Sequence, residues 1–439
     1  MYQLISLLGL PVMIGLAWLC SMDRRRVSWG LVVKGVVLQL VFAVLILKTG
    51  FGKKVFDGAG SAVQFVLDAN REGTRFVFGA LARPDVFGEA MGNVAEHGFV
   101  FFVQVTGTII LVSALMSALY YVGLMQWIVW AMAKVMQVVM GTSGSESLAA
   151  AANVFVGQTE APLVIKPYLP RMTQSEIMAL MTGGMATIAG GVMAAYVDML
   201  TREGFSGAAG HLLAASVMSA PASLVIAKIM APELAESDTR GQVRMQIERE
   251  GSNLLDAICT GAADGLKLAL NVMAMLMAFI ALVFLLNAAL GHVGTWVASM
   301  LKYPATETWP LWVELENLSF DRILGWLCRP LALAMGVSWD DSGQVGALLG
   351  KRAILNEFVA YKDLAALLKD DAISARSGVI ATYALCGFAN FSSIAIQIGG
   401  IGSLAPSRRA DLARFGLRAM IGGLLASFMT ATIAGALVN

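Results

Sequence analysis

The chain has 439 residues, 57% of them hydrophobic and only 14% charged, with a net charge of +1. Its mean hydropathy is +0.71; a water-soluble surface of this size needs far more charge, and a nearly neutral chain has no global field to attract nucleic acid. These values exclude a soluble globular domain and a nucleic-acid binder, and they leave an all-α polytopic membrane protein.

In chain order, runs approaching or exceeding the roughly 20 residues that span a bilayer core predict eight transmembrane helices. They fall at Leu4–Cys20, Gly30–Leu47, Phe99–Val122, Ile177–Leu200, His211–Met230, Leu268–Leu290, Gly378–Ile398 and Leu417–Leu437. No basic stretch precedes the first run, which reads as a retained span and not as a cleaved signal. Phe51–Leu81 carries Lys53, Lys54, Asp57, Asp68, Arg71, Glu72 and Arg75 among aromatics, the pattern of an amphipathic interfacial helix. Met125–Met140 and Ile323–Val337 are short apolar pieces that read as interfacial or buried, and Pro232–Gly251 reads as a polar loop. Arg24, Arg25 and Arg26, then Arg240, Arg244 and Arg249, then Arg408, Arg409 and Arg414 all fall on the cytoplasmic side if both termini lie outside. Lys53, Lys54 and Arg71 fall on the other side.

Cys20, Cys259, Cys328 and Cys386 show no metal-ligand or redox spacing. His97, His211 and His292 are far apart and form no zinc motif, so each reads as a packing or interfacial residue. An intramembrane enzyme would need a nucleophile–base pair or a metal set. HExxH is absent and no histidine lies near the polar segments described next.

Two segments, Ser145–Leu169 and Val345–Leu367, have apolar halves broken by polar residues and predict re-entrant hairpins. In each, a residue able to cap a helix (Thr159, Asn356) precedes a glutamate (Glu160, Glu357), and an apolar half-helix then runs to a lysine (Lys166, Lys362). Pro162 sits in the first turn, where a missing N–H does no harm. Each hairpin is followed by a span with a small, polar centre. GMATIAG (Gly184–Gly190) aligns with GFANFSS (Gly387–Ser393), setting Thr187 opposite Asn390. Interrupted apolar segments at matching positions of two halves point to a transporter's solute site, where half-helix N–H groups and unwound carbonyls meet. A single glutamate at this depth could be a structural ion-pair partner or be protonated. Two at matching positions, beside Gln158 and Asn390, favour a site. The glycines at 183, 184, 190, 191, 399 and 400 are explained equally well by close helix packing.

GQTEAPLVIKPYL (Gly157–Leu169), NEFVAY (Asn356–Tyr361) and CGFANFSSIAIQIGGIGSLAP (Cys386–Pro406) resemble the concentrative nucleoside transporter family, and the resemblance covers essentially the whole chain. It implies eight transmembrane helices plus two re-entrant helical hairpins in an inverted repeat, with interfacial helices. It also implies a transport domain moving against a trimerisation scaffold. Residues 1–140 would be mainly scaffold and interfacial helices, 141–230 the first transport repeat, 231–337 a cytoplasmic linker with a scaffold span and an interfacial helix, and 338–439 the second repeat. The resemblance places Gln158, Thr159, Glu160 and Val192 against a nucleobase, Glu357, Asn390 and Ser393 against a ribose, and Phe388 beside the nucleoside. A carboxylate can accept two vicinal hydroxyls, and an amide can both donate and accept at a base edge.

The same resemblance implies sodium as the coupling ion, held by side-chain oxygens of Asn153 and Thr187 and by the carbonyls of Val156 and Ile188, all hard oxygen ligands. The tip sequence and Asn153, Gln158, Thr159 and Thr187 match sodium-coupled members; proton coupling is the alternative. The expected protein is therefore a homotrimeric, multi-pass symporter of the inner membrane that imports nucleosides such as uridine with sodium. A passive channel would more naturally line its pore with carbonyl or charge rings. A sodium symporter for another polar solute, such as an amino acid, should offer a cationic or N–H-rich site in place of two glutamates.

Overall fold

The computed structural model describes residues 2–83, 101–205, 207–241, 252–300 and 318–438. Every regular element among the described residues is helical, which is what a chain this apolar requires when lipid supplies no backbone partners. His97, Arg244 and Arg249 lie outside the described residues.

Helices α1 (Tyr2–Leu19) and α2 (Trp29–Lys48) are the first two expected spans. Between them Arg24–Arg26 form one 3-10 turn capped by the Asp23 carboxylate, which accepts from Arg25 N–H. Thr49 ends α2 and starts α3 (Gly50–Phe78): its hydroxyl donates to Leu45 carbonyl and accepts from Gly52 N–H. The α3 helix is the amphipathic segment anticipated from its charges. Leu67 and Thr74 are buried, while Phe65 and Phe76 face outward.

Next come α4 (Phe101–Val122) and α5 (Leu124–Met140), then the short α6 (Gly144–Ala152). The following expected span, Ile177–Leu200, is two helices, α7 (Gln174–Ala186) and α8 (Gly190–Arg202), interrupted at 187–189. Helix α9 (Ala208–Met230) is almost entirely buried. Helix α10 runs unbroken over Leu254–Met300, 47 residues, far beyond the Leu268–Leu290 expected for it. At 1.5 Å per residue that is about 70 Å, more than twice a bilayer core. The charged residues Asp264 and Lys267 are exposed and paired along one helix face, so they do not end it.

Helices α11 (Phe320–Ala334), α12 (Ser342–Ile354), α13 (Glu357–Lys369), α14 (Ala375–Leu385), α15 (Phe391–Leu404) and α16 (Arg409–Leu437) complete the chain. The expected span Gly378–Ile398 is thus also broken, between α14 and α15. Seven segments among the described residues are long and apolar enough to cross a membrane. Of the eight expected spans, Gly378–Ile398 is the one absent from that set, whereas the broken segment Gln174–Arg202 is in it.

The buried centre is built from α7, α9, α14 and α16, while α1, α2 and α10 carry large exposed apolar side chains. One buried charge cluster fixes the base of the first hairpin. Lys228 of α9 meets Glu146 of α6 at 2.7 Å and Glu233 at 3.0 Å. Beside it, Glu176 at the start of α7 accepts from the hydroxyls of Ser145 and Ser237. Buried charges persist only when paired and hydrogen-bonded in this way.

Candidate functional site

The two segments expected to form hairpins each hold a pair of short helical pieces, but they are not alike. In the second, Asn356 caps α13 as expected, its side-chain oxygen accepting from Val359 N–H at 2.9 Å, and Glu357 is the first helical residue. The helix does not stop at Lys362; it continues to Lys369.

In the first hairpin the returning half is a single 3-10 helix, Ala161–Ile165, with Pro162 in its first turn and Lys166 at its end. Thr159 does not cap it. The tip folds on Gly157, whose carbonyl accepts from both Glu160 and Ala161 N–H, so those groups need no side-chain cap. The Thr159 hydroxyl instead donates to Glu160 Oε1 at 3.2 Å, and its methyl packs against Gly400 of α15. Glu160 is exposed and its carboxylate lies back over Gly157.

Three irregular segments cross at the centre: the first hairpin tip (153–160), the break at 187–189 and the break at 386–390. Backbone hydrogen bonds tie them together. Gly190 N–H donates to Phe155 carbonyl at 3.0 Å, and Phe388 N–H donates to Thr187 carbonyl at 3.2 Å. Thr187 ends α7 and Asn390 caps α15, so the two aligned residues fall on opposite sides of their breaks, and the bond between the breaks runs from Phe388 to Thr187. At the second break Gly387 has φ +146°, and an added Cβ would lie 2.7 Å from both Arg352 Nη2 and Met185 carbonyl oxygen. Only glycine fits that backbone and that space.

A continuous polar chain runs across the crossing. Glu357 accepts from Tyr196 hydroxyl at 2.9 Å through one carboxylate oxygen and from Asn390 Nδ2 at 3.1 Å through the other. Asn390 Oδ1 accepts from Ser393 N–H at 2.9 Å. Ser393 hydroxyl accepts from Gln158 Nε2 at 3.1 Å, and Gln158 Oε1 accepts from Gln397 Nε2 at 3.0 Å. Gln158, Glu357, Asn390 and Ser393 are all buried. Val192 is buried one helical turn from Tyr196 on α8, and Phe388 is half-buried at the second break. Residues from both halves of the chain thus meet in one hydrogen-bonded set. Thr159 and Glu160 are the outermost of the expected set.

Three contributors were not anticipated. Tyr196 and Gln397 lie inside helices and away from the capping and helix-break patterns, so neither gives a local signal. Arg352 is fully buried on α12, and its guanidinium donates to Ala384 carbonyl, to Gly387 carbonyl at 3.1 Å and to Ser427 hydroxyl at 3.0 Å. It satisfies the orphan carbonyls where α14 stops. Tyr196 stacks on Tyr361 with ring centroids 4.4 Å apart, which fixes its hydroxyl. Tyr196→Phe should preserve the fold and reduce solute transport by at least about tenfold, the worth of one charge-assisted hydrogen bond of about 1.5–3 kcal/mol. Initial uptake rates beside the wild type check this.

Asn153 follows α6 directly and is 1% exposed, yet neither its Oδ1 nor its Nδ2 has a hydrogen-bond partner. Thr187 hydroxyl donates to Gly183 carbonyl at 2.9 Å and keeps its oxygen lone pairs for another partner. Val156 and Ile188 both lie in the irregular backbone of the same crossing. A buried amide oxygen left without a donor suits a small hard cation. Among the described residues no group of three His, Cys, Asp or Glu is placed to hold a transition metal. A separate cleft of about 620 Å³ lies between α3 and the start of α9, lined by Gly60, Gln64, Phe65, Asp68 and Gly210 among others, and shares no residue with the polar chain.

Comparison with known proteins agrees with this geometry. Residues 8–81 and 211–435 match the family models described as Na+ dependent nucleoside transporter N-terminus and C-terminus, and residues 102–203 match a model described as nucleoside recognition. An uncharacterized transporter of Haemophilus influenzae is 42% identical over 446 residues, covering 100% of this chain and 99% of the relative. Sodium/nucleoside cotransporter 1 of Rattus norvegicus is 40% identical over 449 residues, covering 99% of this chain and 64% of the relative, so this chain spans somewhat less than two thirds of that longer protein. Among solved structures, CNTnw in an inward-facing substrate-bound state is 39% identical with a TM-score of 0.88, covering 100% of this chain and 98% of that one. A doubly substituted CNTnw in an outward-facing state is 38% identical with the same TM-score and coverage. The relatives are transporters and not enzymes, and the multi-pass helical chain with its paired broken helices belongs to the Na+ dependent nucleoside transporter family.

Proposed function

We propose that the protein is a secondary active symporter that imports nucleosides, uridine among them, on a sodium gradient across the inner membrane. The observation that carries this is the buried polar chain from Tyr196 through Glu357, Asn390 and Ser393 to Gln158, which joins both hairpins and both helix breaks. After Tyr196 and Asn390 have donated, each Glu357 oxygen keeps a lone pair for one ribose hydroxyl. Gln158, with Thr159, Glu160 and Val192 around it, presents a donor and an acceptor to the base. Phe388 packs beside the nucleoside, and Ser393 joins Asn390 on the ribose side. A neutral solute is recognised here by hydrogen bonds and not by charge pairing, which suits a set without a free cation at its tip.

Sodium binds where the amide oxygen of Asn153, the hydroxyl of Thr187 and the carbonyls of Val156 and Ile188 converge. The ion neutralises carbonyl dipoles at the first break and so stabilises the crossing that the solute needs. Loading the ion and loading the solute are thereby linked, which is the physical basis of symport.

The architecture we infer for this cycle is eight spans, two of them discontinuous, plus two re-entrant hairpins arranged as an inverted repeat. Residues 141–230 and 338–439 form the transport unit, and 1–140 and 231–337 form scaffold, linker and interfacial helices, with three copies assembled through the scaffold. The inward- and outward-facing states of CNTnw support alternating access as the transport cycle.

The test is uptake of labelled uridine into proteoliposomes under an inward sodium gradient, an inward proton gradient, or neither. Accumulation above equilibrium with sodium alone is the expected result. Accumulation with protons alone would move the coupling to a proton and remove sodium from Asn153. Equilibration under all three conditions would make the protein a passive facilitator.

A further inference from the structure

Gln397 lies on α15, one turn beyond Ser393, and is fully buried. Its Nε2 makes two hydrogen bonds, to Met181 carbonyl of α7 at 3.1 Å and to Gln158 Oε1 at 3.0 Å. A side-chain amide can face either way; a helix carbonyl cannot. Met181 carbonyl therefore requires the N–H side of Gln397, and the second N–H of that group requires the oxygen side of Gln158. Turning Gln397 over would set its oxygen against the oxygens of both neighbours. Ser393 cannot impose this direction, because a hydroxyl donates or accepts with equal ease. Gly184 makes room for the arrangement: a Cβ there would come within 2.7 Å of Gln397 Nε2 and 2.9 Å of Gln158 Cβ. Gln397 Oε1 is left buried without a partner, so the amide is kept in place despite one unsatisfied acceptor.

We propose that Gln397 is a specificity-determining residue that locks the direction of the Gln158 amide, so that the site distinguishes 4-oxo from 4-amino pyrimidine nucleosides. The proposal rests on the nucleoside assignment above, with Gln158 at the base edge. A uracil edge offers an acceptor at O4 beside a donor at N3; a cytosine edge offers a donor at N4 beside an acceptor at N3. An amide free to rotate can serve both by turning over. An amide held by Gln397 serves one well and leaves the other with donor against donor and acceptor against acceptor. Gln397 does not touch the base; it acts through Gln158.

The experiment uses the full chain in proteoliposomes under a sodium gradient, with labelled uridine uptake competed by unlabelled uridine or cytidine. Gln397→Met removes the amide with little change of volume. Gln397→Asn keeps a buried amide but falls one methylene short, and it serves if the Met variant is not recovered folded. The wild type should prefer one of the two nucleosides. In either variant the ratio of their half-inhibitory concentrations should move at least about fivefold towards parity, the scale of one lost polar discrimination, while sodium activation stays unchanged. A ratio that does not move, with uptake of both nucleosides lowered alike, would make Gln397 a packing residue and overturn the proposal. So would a wild type that takes both equally. A folded wild type that takes up neither would overturn the nucleoside assignment itself, a separate result read from the unmutated protein.

Discussion

Replacing Glu357 by glutamine should cut sodium-driven uridine uptake by roughly 100-fold, through one ribose hydrogen bond lost from a charged acceptor, at about 1.5–3 kcal/mol, and two others made neutral and weaker. The carboxylate has two oxygens, and the structure aims a donor at each: Tyr196 hydroxyl at 2.9 Å and Asn390 Nδ2 at 3.1 Å. Glutamine supplies one oxygen and one NH2 group. Its NH2 group can face Tyr196, whose hydroxyl then accepts, while its oxygen faces Asn390, so both protein contacts survive only as weaker, uncharged hydrogen bonds. The ribose hydroxyl that would have used the lost oxygen also loses its acceptor. Glu357 is the first residue of α13, so the change removes a charge from a helix start as well, at a smaller cost of about 0.3–1 kcal/mol. Asn356 still caps that helix, so the variant should elute as folded protein in size-exclusion chromatography. Uptake near the wild-type rate would remove Glu357 from the solute site.

Asn153→Ala should raise the sodium concentration for half-maximal uptake by at least about tenfold, while uridine uptake at saturating sodium recovers most of its wild-type rate. The asymmetry follows from the state of the side chain. Asn153 is buried with both amide atoms unpartnered, so alanine breaks no hydrogen bond of the protein itself. A structural asparagine would show the opposite pattern, with stability lost and ion dependence unchanged. Sodium titrations of the uptake rate, run beside thermal unfolding in detergent, separate the two. An unchanged sodium dependence would take Asn153 out of the ion site.

The parts of the site readable from sequence are those whose signal is local. Asn356 before Glu357 is a helix start by residue type, and it caps as such. Thr159 before Glu160 looks the same in one dimension, yet the Gly157 carbonyl already satisfies the N–H groups that a cap would serve. Polar centres at Thr187 and Asn390 marked both helix breaks, because helices in lipid stop only where something else takes up the backbone. Tyr196, Arg352 and Gln397 gave no such mark. Each lies inside a helix with no capping or break pattern around it, and each finds a key partner far along the chain, 161 residues away for Tyr196 and 239 for Gln397. The length of α10 lay outside the apolar run Leu268–Leu290: the helix continues through Asp264 and Lys267, which pair with each other on an exposed face. Which residues form scaffold and which form the moving unit rests on resemblance, since local pattern does not separate them.

The long separations also set an order in time. Gln158 and Gln397 are 239 positions apart, and synthesis at about 5–20 residues per second puts on the order of 10–50 s between them. During that interval the first hairpin tip, with its amides and carboxylate, has emerged but lacks the α15 partners that complete the site. The early half must wait in a state whose polar groups are served by water or by other parts of the chain. The hydrogen-bonded chain across the crossing is therefore completed only by the last fifty or so residues to be made, and an unfinished protein lacks it.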